Sequence, residues 1–189
     1  MDIKDIPHNM DFTFGPNLRE VPISKIEMLY GMMHIMEQLK KGQFNQEEQG
    51  KWNGLLGVYL RIVGELDESE KHLKTAIQIY KELEQSRRVF INTLRLAHTY
   101  QWWTKFDISN QMFSELREQA ESDPDLSDLL DFVYQHHGKN HFDQKEYETA
   151  LSYFEKALDL RRDSHNEELI ASTETAIEAC EYRLEHGYK

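Results

Sequence analysis

Three neighbouring histidines are the residues of this sequence best placed to do chemistry. His136, His137 and His141 fall on one predicted helix, and His137 and His141, four positions apart, share a face of it. Imidazoles at this spacing can hold a zinc ion or a similar metal, which would suit a metal-dependent enzyme. No cysteine lies nearby to complete such a site, and acidic neighbours are too common in this chain to count as ligands.

Other residues give little support for catalysis. The sequence lacks a glycine-rich nucleotide loop, a Gly-x-Ser-x-Gly motif and a metalloprotease histidine pair with an intervening glutamate. The single cysteine, Cys180, stands beside Glu178 and Glu181, whose charges would raise its thiol pKa. We therefore predict a protein that is not an enzyme and has no cofactor.

The charge balance narrows the choice of partners. The 189 residues include 22 basic and 34 acidic side chains, a net charge of -12. Nucleic acids and anionic membranes both require basic surfaces, so neither is expected as a partner. No apolar run approaches the ~20 residues that span a bilayer, and the first 15 residues do not read as a signal peptide. We expect a cytoplasmic protein.

Helical periodicity covers most of the chain after residue 22. The whole sequence has only 4 prolines and 9 glycines, and no long alternating run predicts a sheet. The pattern predicts an all-α fold of about eight helices. Their approximate bounds are 23–41, 46–64, 67–85, 87–104, 107–121, 127–142, 146–162 and 167–186.

A repeated spacing organises these helices. In three segments a small residue is followed by a second small residue 12 positions later, and the segments lie 40 and then 41 residues apart. A fixed period of this size is typical of repeat proteins. The pairs are Gly57 with Ser69, Ala97 with Ser109, and Gly138 with Ala150. Small residues there would let two antiparallel helices cross closely, with Phe113 and Phe154 filling the space beside the crossing.

The repeat resembles the tetratricopeptide family. The third segment carries the most complete set of matching residues, namely Tyr134, Gly138, Tyr147, Ala150, Phe154 and Ala157. The period here is longer than the family's 34 residues, as in variants with long helices. The resemblance implies a right-handed superhelical stack of antiparallel helix pairs, with repeats at about 46–85, 87–121 and 127–162. A leading helix at 23–41 and a closing helix at 167–186 would complete a domain spanning 23–189. His137 and His141 then replace packing residues, so we predict that they pack between helices and bind no metal.

Residues 1–22 form a different kind of segment. Pro7, Gly15, Pro16 and Pro22 argue against a helix, but the segment is too apolar for a solvated tail. We expect an extended segment lying on the first helices. In this interpretation Phe12, Phe14 and Leu18 dock and shield Met33 and Met36. The alternative is that the segment occupies the binding groove as an autoinhibitor.

The resemblance also predicts where a partner binds. In the family, the first helix of each pair lines a concave surface. Carried onto this chain, that surface gathers basic, aromatic and amide side chains on an otherwise acidic protein. The predicted partner-binding residues are Arg61, Arg95, His98, Gln101, Trp102 and Lys139. Such a groove suits an extended or helical peptide with an acidic or C-terminal carboxylate group. The family's dicarboxylate clamp is not matched, since its positions hold Gly54, Val58 and Arg95.

These observations favour a protein–protein interaction module, an adaptor or scaffold that binds a protein segment in its groove. Two alternatives remain open. One is a regulatory receptor for a short signalling peptide, because the chain resembles the repeat half of such receptors from Gram-positive bacteria. The other is a metal-dependent enzyme using the region from His136 to His141. The sequence leaves the partner and the oligomeric state open.

Overall fold

A computed structural model describes residues 3–187, and in this range the chain folds into eight α-helices preceded by a small hairpin. The helices lie in consecutive packed pairs, which confirms the predicted all-α class. Their bounds are α1 Lys25–Lys40, α2 Gln46–Val63, α3 Leu66–Glu82, α4 Ser86–Trp102, α5 Phe106–Ser122, α6 Leu130–Asp143, α7 Tyr147–Ser164 and α8 Glu167–His186. Short 3-10 turns at Ile3–Asp5 and Ser127–Leu129 complete the regular structure of the described residues. None of the helices described is both long and apolar enough to cross a bilayer.

The chain divides into two compact units, Met1–Trp103 and Thr104–Lys189. The first contains the hairpin and α1 to α4, and the second contains α5 to α8. The predicted middle repeat, 87–121, has one helix in each unit and stays a prediction. So does the division into a segment 1–22 and a repeat domain 23–189.

Within the first unit, α2 and α3 cross where the 12-residue spacing predicts. The Ser69 hydroxyl donates a hydrogen bond of 2.7 Å to the carbonyl oxygen of Gly57. A Cβ atom at Gly57 would lie 2.5 Å from Cγ of Leu73, so the crossing has no room for a larger residue. A capping box at Asn45 and Glu48 begins α2, and Gly64, with φ of 92°, ends it.

Within the second unit, the same construction joins α6 and α7. A Cβ atom at Gly138 would lie 2.6 Å from the ring of Phe154, which is fully buried together with Ala150 and Ala157. The predicted role of Phe154 beside the crossing is therefore confirmed.

The N-terminal segment is a hairpin rather than a single extended stretch. Strand β1, Phe12–Phe14, pairs antiparallel with β2, Glu20–Pro22, and Phe14 stands opposite Glu20. The Gly15 amide donates to the Arg19 carbonyl oxygen at 2.8 Å and closes the turn. Within that turn Leu18 has φ of 61°, a left-handed conformation that a side chain rarely adopts. Sequence periodicity could not predict strands this short.

Candidate partner-binding site

Five of the predicted partner-binding residues lie in the first unit. Arg61 belongs to the last turn of α2, and the other four, Arg95, His98, Gln101 and Trp102, belong to α4. The spacings of three from Arg95 to His98 and of four from His98 to Trp102 keep these residues on neighbouring turns of one side of α4. We call these five residues the α2/α4 face.

Contacts within the α2/α4 face centre on the indole of Trp102. Its Nε1–H donates to Nε2 of His98 at 3.2 Å, and the two rings meet edge to face. The Arg61 guanidinium lies 4.8 Å from the centroid of the indole ring, within the range of a cation–π contact. The structure therefore brings Arg61, His98 and Trp102 together, as the sequence predicted.

Arg95 adds positive charge to the same face. Its Nη1 donates to Oδ1 of Asn92 at 3.2 Å, and a Cβ atom at Gly54 of α2 would lie only 3.0 Å from that nitrogen. The same Cβ atom would meet Oδ1 of Asn92 first, so Gly54 leaves room for the Asn92 amide and the guanidinium together. Burial lowers the pKa of Arg95, and the charges of Arg61 and Arg88 lower it further. The guanidiniums of Arg61 and Arg88 are thus near enough to Arg95 to act on it, so positive charge is concentrated here.

The hairpin lies on this face and supplies it with a carboxylate. Both oxygens of Glu20 accept hydrogen bonds from Arg61, at 2.8 Å from Nη1 and 3.2 Å from Nη2. The pair is buried, with Arg61 only 3% exposed and Glu20 8%. Arg19, the neighbour of Glu20, places its guanidinium 5.0 Å from the Trp102 ring centroid. The indole therefore contacts one guanidinium from α2 and one from the hairpin.

The residues that dock the N-terminal segment differ from those predicted. Leu18 is buried, as expected, but Phe12 and Phe14 are 41% and 48% exposed, so their predicted docking is wrong. Their rings contact each other edge to face, with centroids 5.9 Å apart. Ile6 and Met10 dock instead, joining a core cluster with Met28, Met32 and Ile35 of α1. The expected shielding of Met33 is also wrong, because Met33 is largely exposed.

Accessibility separates the predicted site residues. Arg61, His98 and Gln101 are buried, whereas Arg95 and Trp102 are partly exposed. Lys139, the sixth predicted residue, belongs to α6 of the second unit and is buried there. Sequence reasoning missed Glu20 and Arg19, although a weak signal exists in the apolar–basic–acidic–apolar run from Leu18 to Val21.

The histidine cluster of the second unit is packed between helices, as predicted. His137, on α6, stacks on Phe113 of α5 at 5.3 Å and contacts the ring of Tyr153 on α7 at 4.2 Å. His141 lies 4.8 Å from His137, and its Nδ1 is 2.6 Å from a carboxylate oxygen of Glu146. In the part of the chain that the structure describes, no three or more His, Cys, Asp or Glu residues are arranged to hold a metal. Whether the cluster binds none stays a prediction.

The burial of His137 leads to a pH-dependent stability. Burial, and to a smaller extent the positive charges of His141 and Arg117, lower the pKa of His137 to about 3. In the unfolded chain a histidine titrates near 6.5, so below that pH the unfolded state binds a proton that the folded state does not. This one group should therefore cost about 2 kcal/mol of stability between pH 7 and pH 5. Urea unfolding at both pH values should give a smaller loss for His137→Phe, whereas an equal loss in variant and wild type would contradict the assignment.

The thiol of Cys180 is poorly suited to act as a nucleophile. Its side chain on α8 is completely buried. Burial, and to a smaller extent the charge of Glu181, raise the pKa of the thiol to about 12. The thiolate is therefore scarce at neutral pH, in agreement with the sequence-based expectation.

Antiparallel helix pairs that cross at small residues place this chain among the helical repeat proteins. Residues 55–86 and 133–164 each match the tetratricopeptide repeat family, and the two matches extend through α3 and α7, the second helices of their pairs. These two matches support the assignment to the tetratricopeptide repeat family that the resemblance indicated. Repeats of this family are in general non-enzymatic units of protein–protein interaction, and the chain carries such a module. A comparison with curated proteins gave no match.

Proposed function

We propose that the α2/α4 face binds a protein segment bearing an acidic group, and that the protein acts as an adaptor in the cytoplasm. The observation that carries the proposal is the buried pairing of Arg61 with the carboxylate of Glu20 beside Trp102. The face already holds a carboxylate from its own chain. A partner carboxylate would meet the same donors.

The chemistry of the face supports this choice of ligand. The planar guanidinium of Arg61 presents two parallel N–H groups that fit a carboxylate in a way that a lysine cannot. Trp and Arg are also the residues that most often dominate binding energy at interfaces. The chain as a whole has a net charge of -12, so the local group of Arg61, Arg88 and Arg95 is an exception. Its positive charge favours acidic partners. Lys139 stays a predicted partner-binding residue outside this proposal.

The docked hairpin also favours the regulatory receptor as a second candidate. A face occupied by its own chain responds to a peptide by exchanging one occupant for another, and such an exchange can transmit a signal. Peptide-dependent compaction of the protein would favour the receptor. Constitutive co-purification with one partner would favour the adaptor.

The proposal is tested by affinity capture from the native host. Full-length wild type, Trp102→Ala and Arg95→Ala are used as baits, and captured proteins are identified by mass spectrometry. We expect a partner that wild type retains and both variants lose, with less retained by wild type at high salt because ionic attraction is screened. Trp103→Ala, which removes the neighbouring indole outside the face, is the matched control and should retain the partner. Melting curves of all four proteins accompany the assay, and equal capture by folded wild type, Trp102→Ala and Arg95→Ala would reject the α2/α4 face as the site.

A further inference from the structure

We propose that the hairpin, residues 12–22, is an internal copy of the partner's binding sequence, and that the partner displaces it. The copied feature is an apolar residue two positions before a carboxylate, as in Leu18 and Glu20. This inference rests on the proposed function and adds to it the chemical pattern of the partner and the way in which the face is regulated.

The arrangement of the hairpin identifies the pattern. Leu18 and Glu20 are both buried, whereas Val21 is exposed and Arg19 reaches the Trp102 ring. The two buried side chains are two positions apart, so the docked hairpin buries one apolar group and one carboxylate, and the carboxylate meets Arg61. The turn before them is held by local bonds, from the Gly15 amide to the Arg19 carbonyl and from the Arg19 amide to Oδ1 of Asn17. A partner would therefore present the pattern directly after a turn.

A carboxylate of another chain can replace Glu20 with little net change in the free energy of the ion pair with Arg61. Removing one member of a buried ion pair is costly because the other charge is left without a partner. Exchanging Glu20 for a second carboxylate leaves Arg61 paired throughout, so that cost does not arise. The left-handed conformation of Leu18 also disfavours the docked hairpin, since strain of this kind is relieved when the turn is released.

The hairpin can leave without disturbing the anchor before it. Ile6 and Met10 pack separately into the α1 core, where Met10 contacts Gly31. Three residues of the hairpin, Phe12, Phe14 and Val21, are exposed. The hairpin is thus tethered on one side by Met10 and on the other by α1. A tether this short gives an effective concentration in the millimolar range, so the hairpin suppresses weak ligands and yields to strong ones.

The experiment compares an occupied face with an opened one in the full-length protein. The probe is a fluorescein-labelled peptide of residues 11–23, and its binding is measured by fluorescence polarisation. The protein carrying both Leu18→Ser and Glu20→Gln should bind this probe at least tenfold more tightly than wild type. The same peptide carrying Glu20→Gln should bind the opened protein at least tenfold more weakly than the probe. Adding Arg61→Met to the opened protein should reduce probe binding by a similar factor.

Matched controls separate displacement from loss of structure. Phe14→Ser alters an exposed residue of the same hairpin and should leave probe affinity at the wild-type level. Circular dichroism and melting curves establish that each variant is folded. Should the double substitution unfold the protein, Glu20→Gln alone serves as the opened form, because Leu18 then still packs.

Two results would overturn the inference. Equal probe affinity for wild type and the opened protein would mean that the hairpin is not exchangeable, and equal binding of the two peptides would mean that the carboxylate is not recognised. Neither result removes the proposed function, which fails separately if partner capture is insensitive to both Trp102→Ala and Arg95→Ala.

Discussion

Replacing Phe154 with alanine is expected to lower the free energy of unfolding by about 3–5 kcal/mol. The ring is completely buried and fills the space opposite Gly138, where α6 and α7 come closest. Alanine would forfeit the transfer of the ring from water and leave a cavity that two helices at such close range cannot fully close. Urea denaturation followed by far-UV circular dichroism measures the change.

Phe14 provides the control for this experiment, because it is an aromatic residue that is 48% exposed. Phe14→Ala should alter stability by less than about 0.5 kcal/mol. An unfolding midpoint for Phe154→Ala as high as that of Phe14→Ala would contradict the assigned crossing of α6 and α7.

Arg161→Met is expected to cost about as much, roughly 3–5 kcal/mol. The buried guanidinium of Arg161 on α7 bonds to Asp131 of α6 at 2.9 Å and to the Thr173 hydroxyl of α8 at 2.6 Å. It also donates to the carbonyl oxygen of Leu169 at 3.2 Å. Methionine keeps much of the side-chain volume but leaves the Asp131 carboxylate buried without its cation. Denaturant unfolding again gives the magnitude.

Two further variants test whether the loss of stability in Arg161→Met comes from the broken ion pair. Arg162→Met removes a neighbouring arginine whose side chain is 57% exposed, and should cost less than about 0.5 kcal/mol. Adding Asp131→Leu to Arg161→Met should recover most of the loss, because no buried charge is then left unpaired. If Arg161→Met proved as stable as Arg162→Met, the ion pair would not stabilise the packing of α6, α7 and α8.

The Arg161–Asp131 and Arg61–Glu20 ion pairs differ in the element that carries the carboxylate. Asp131 is fixed on α6, where it would stay largely buried when Arg161 is removed. Glu20 belongs to the hairpin that we propose leaves the face and takes its carboxylate into solvent. The first pair is therefore structural, and the second is the one that we propose a partner replaces.

Helix positions could be predicted well because the relevant signals are local. Apolar periodicity and the 12-residue spacing fixed α2 and α3 to within a few residues, and Gly57 and Ser69 meet as expected. The prediction was less accurate at 127–142, where Ser127–Leu129 forms a 3-10 turn and α6 begins only at Leu130. Such boundaries depend on packing that a local pattern does not contain.

The contact among three of the candidate residues could be predicted, but the hairpin that covers them could not. Helical spacing alone places His98 and Trp102 one turn apart, so their contact follows from the sequence. The position of Arg61 beside them needed the repeat register as well. The pairing of Arg61 with Glu20 spans 41 residues and depends on a left-handed turn at Leu18, which no periodicity encodes.

Calorimetric titration with the captured partner tests most directly whether the α2/α4 face is the binding site. Truncation of a central Trp or Arg contact costs about 2 kcal/mol, so Trp102→Ala and Arg95→Ala should each weaken binding roughly 30-fold. Trp103→Ala should bind like wild type, and the melting temperatures should stay close together. Wild-type affinity in both folded face variants would contradict the claim.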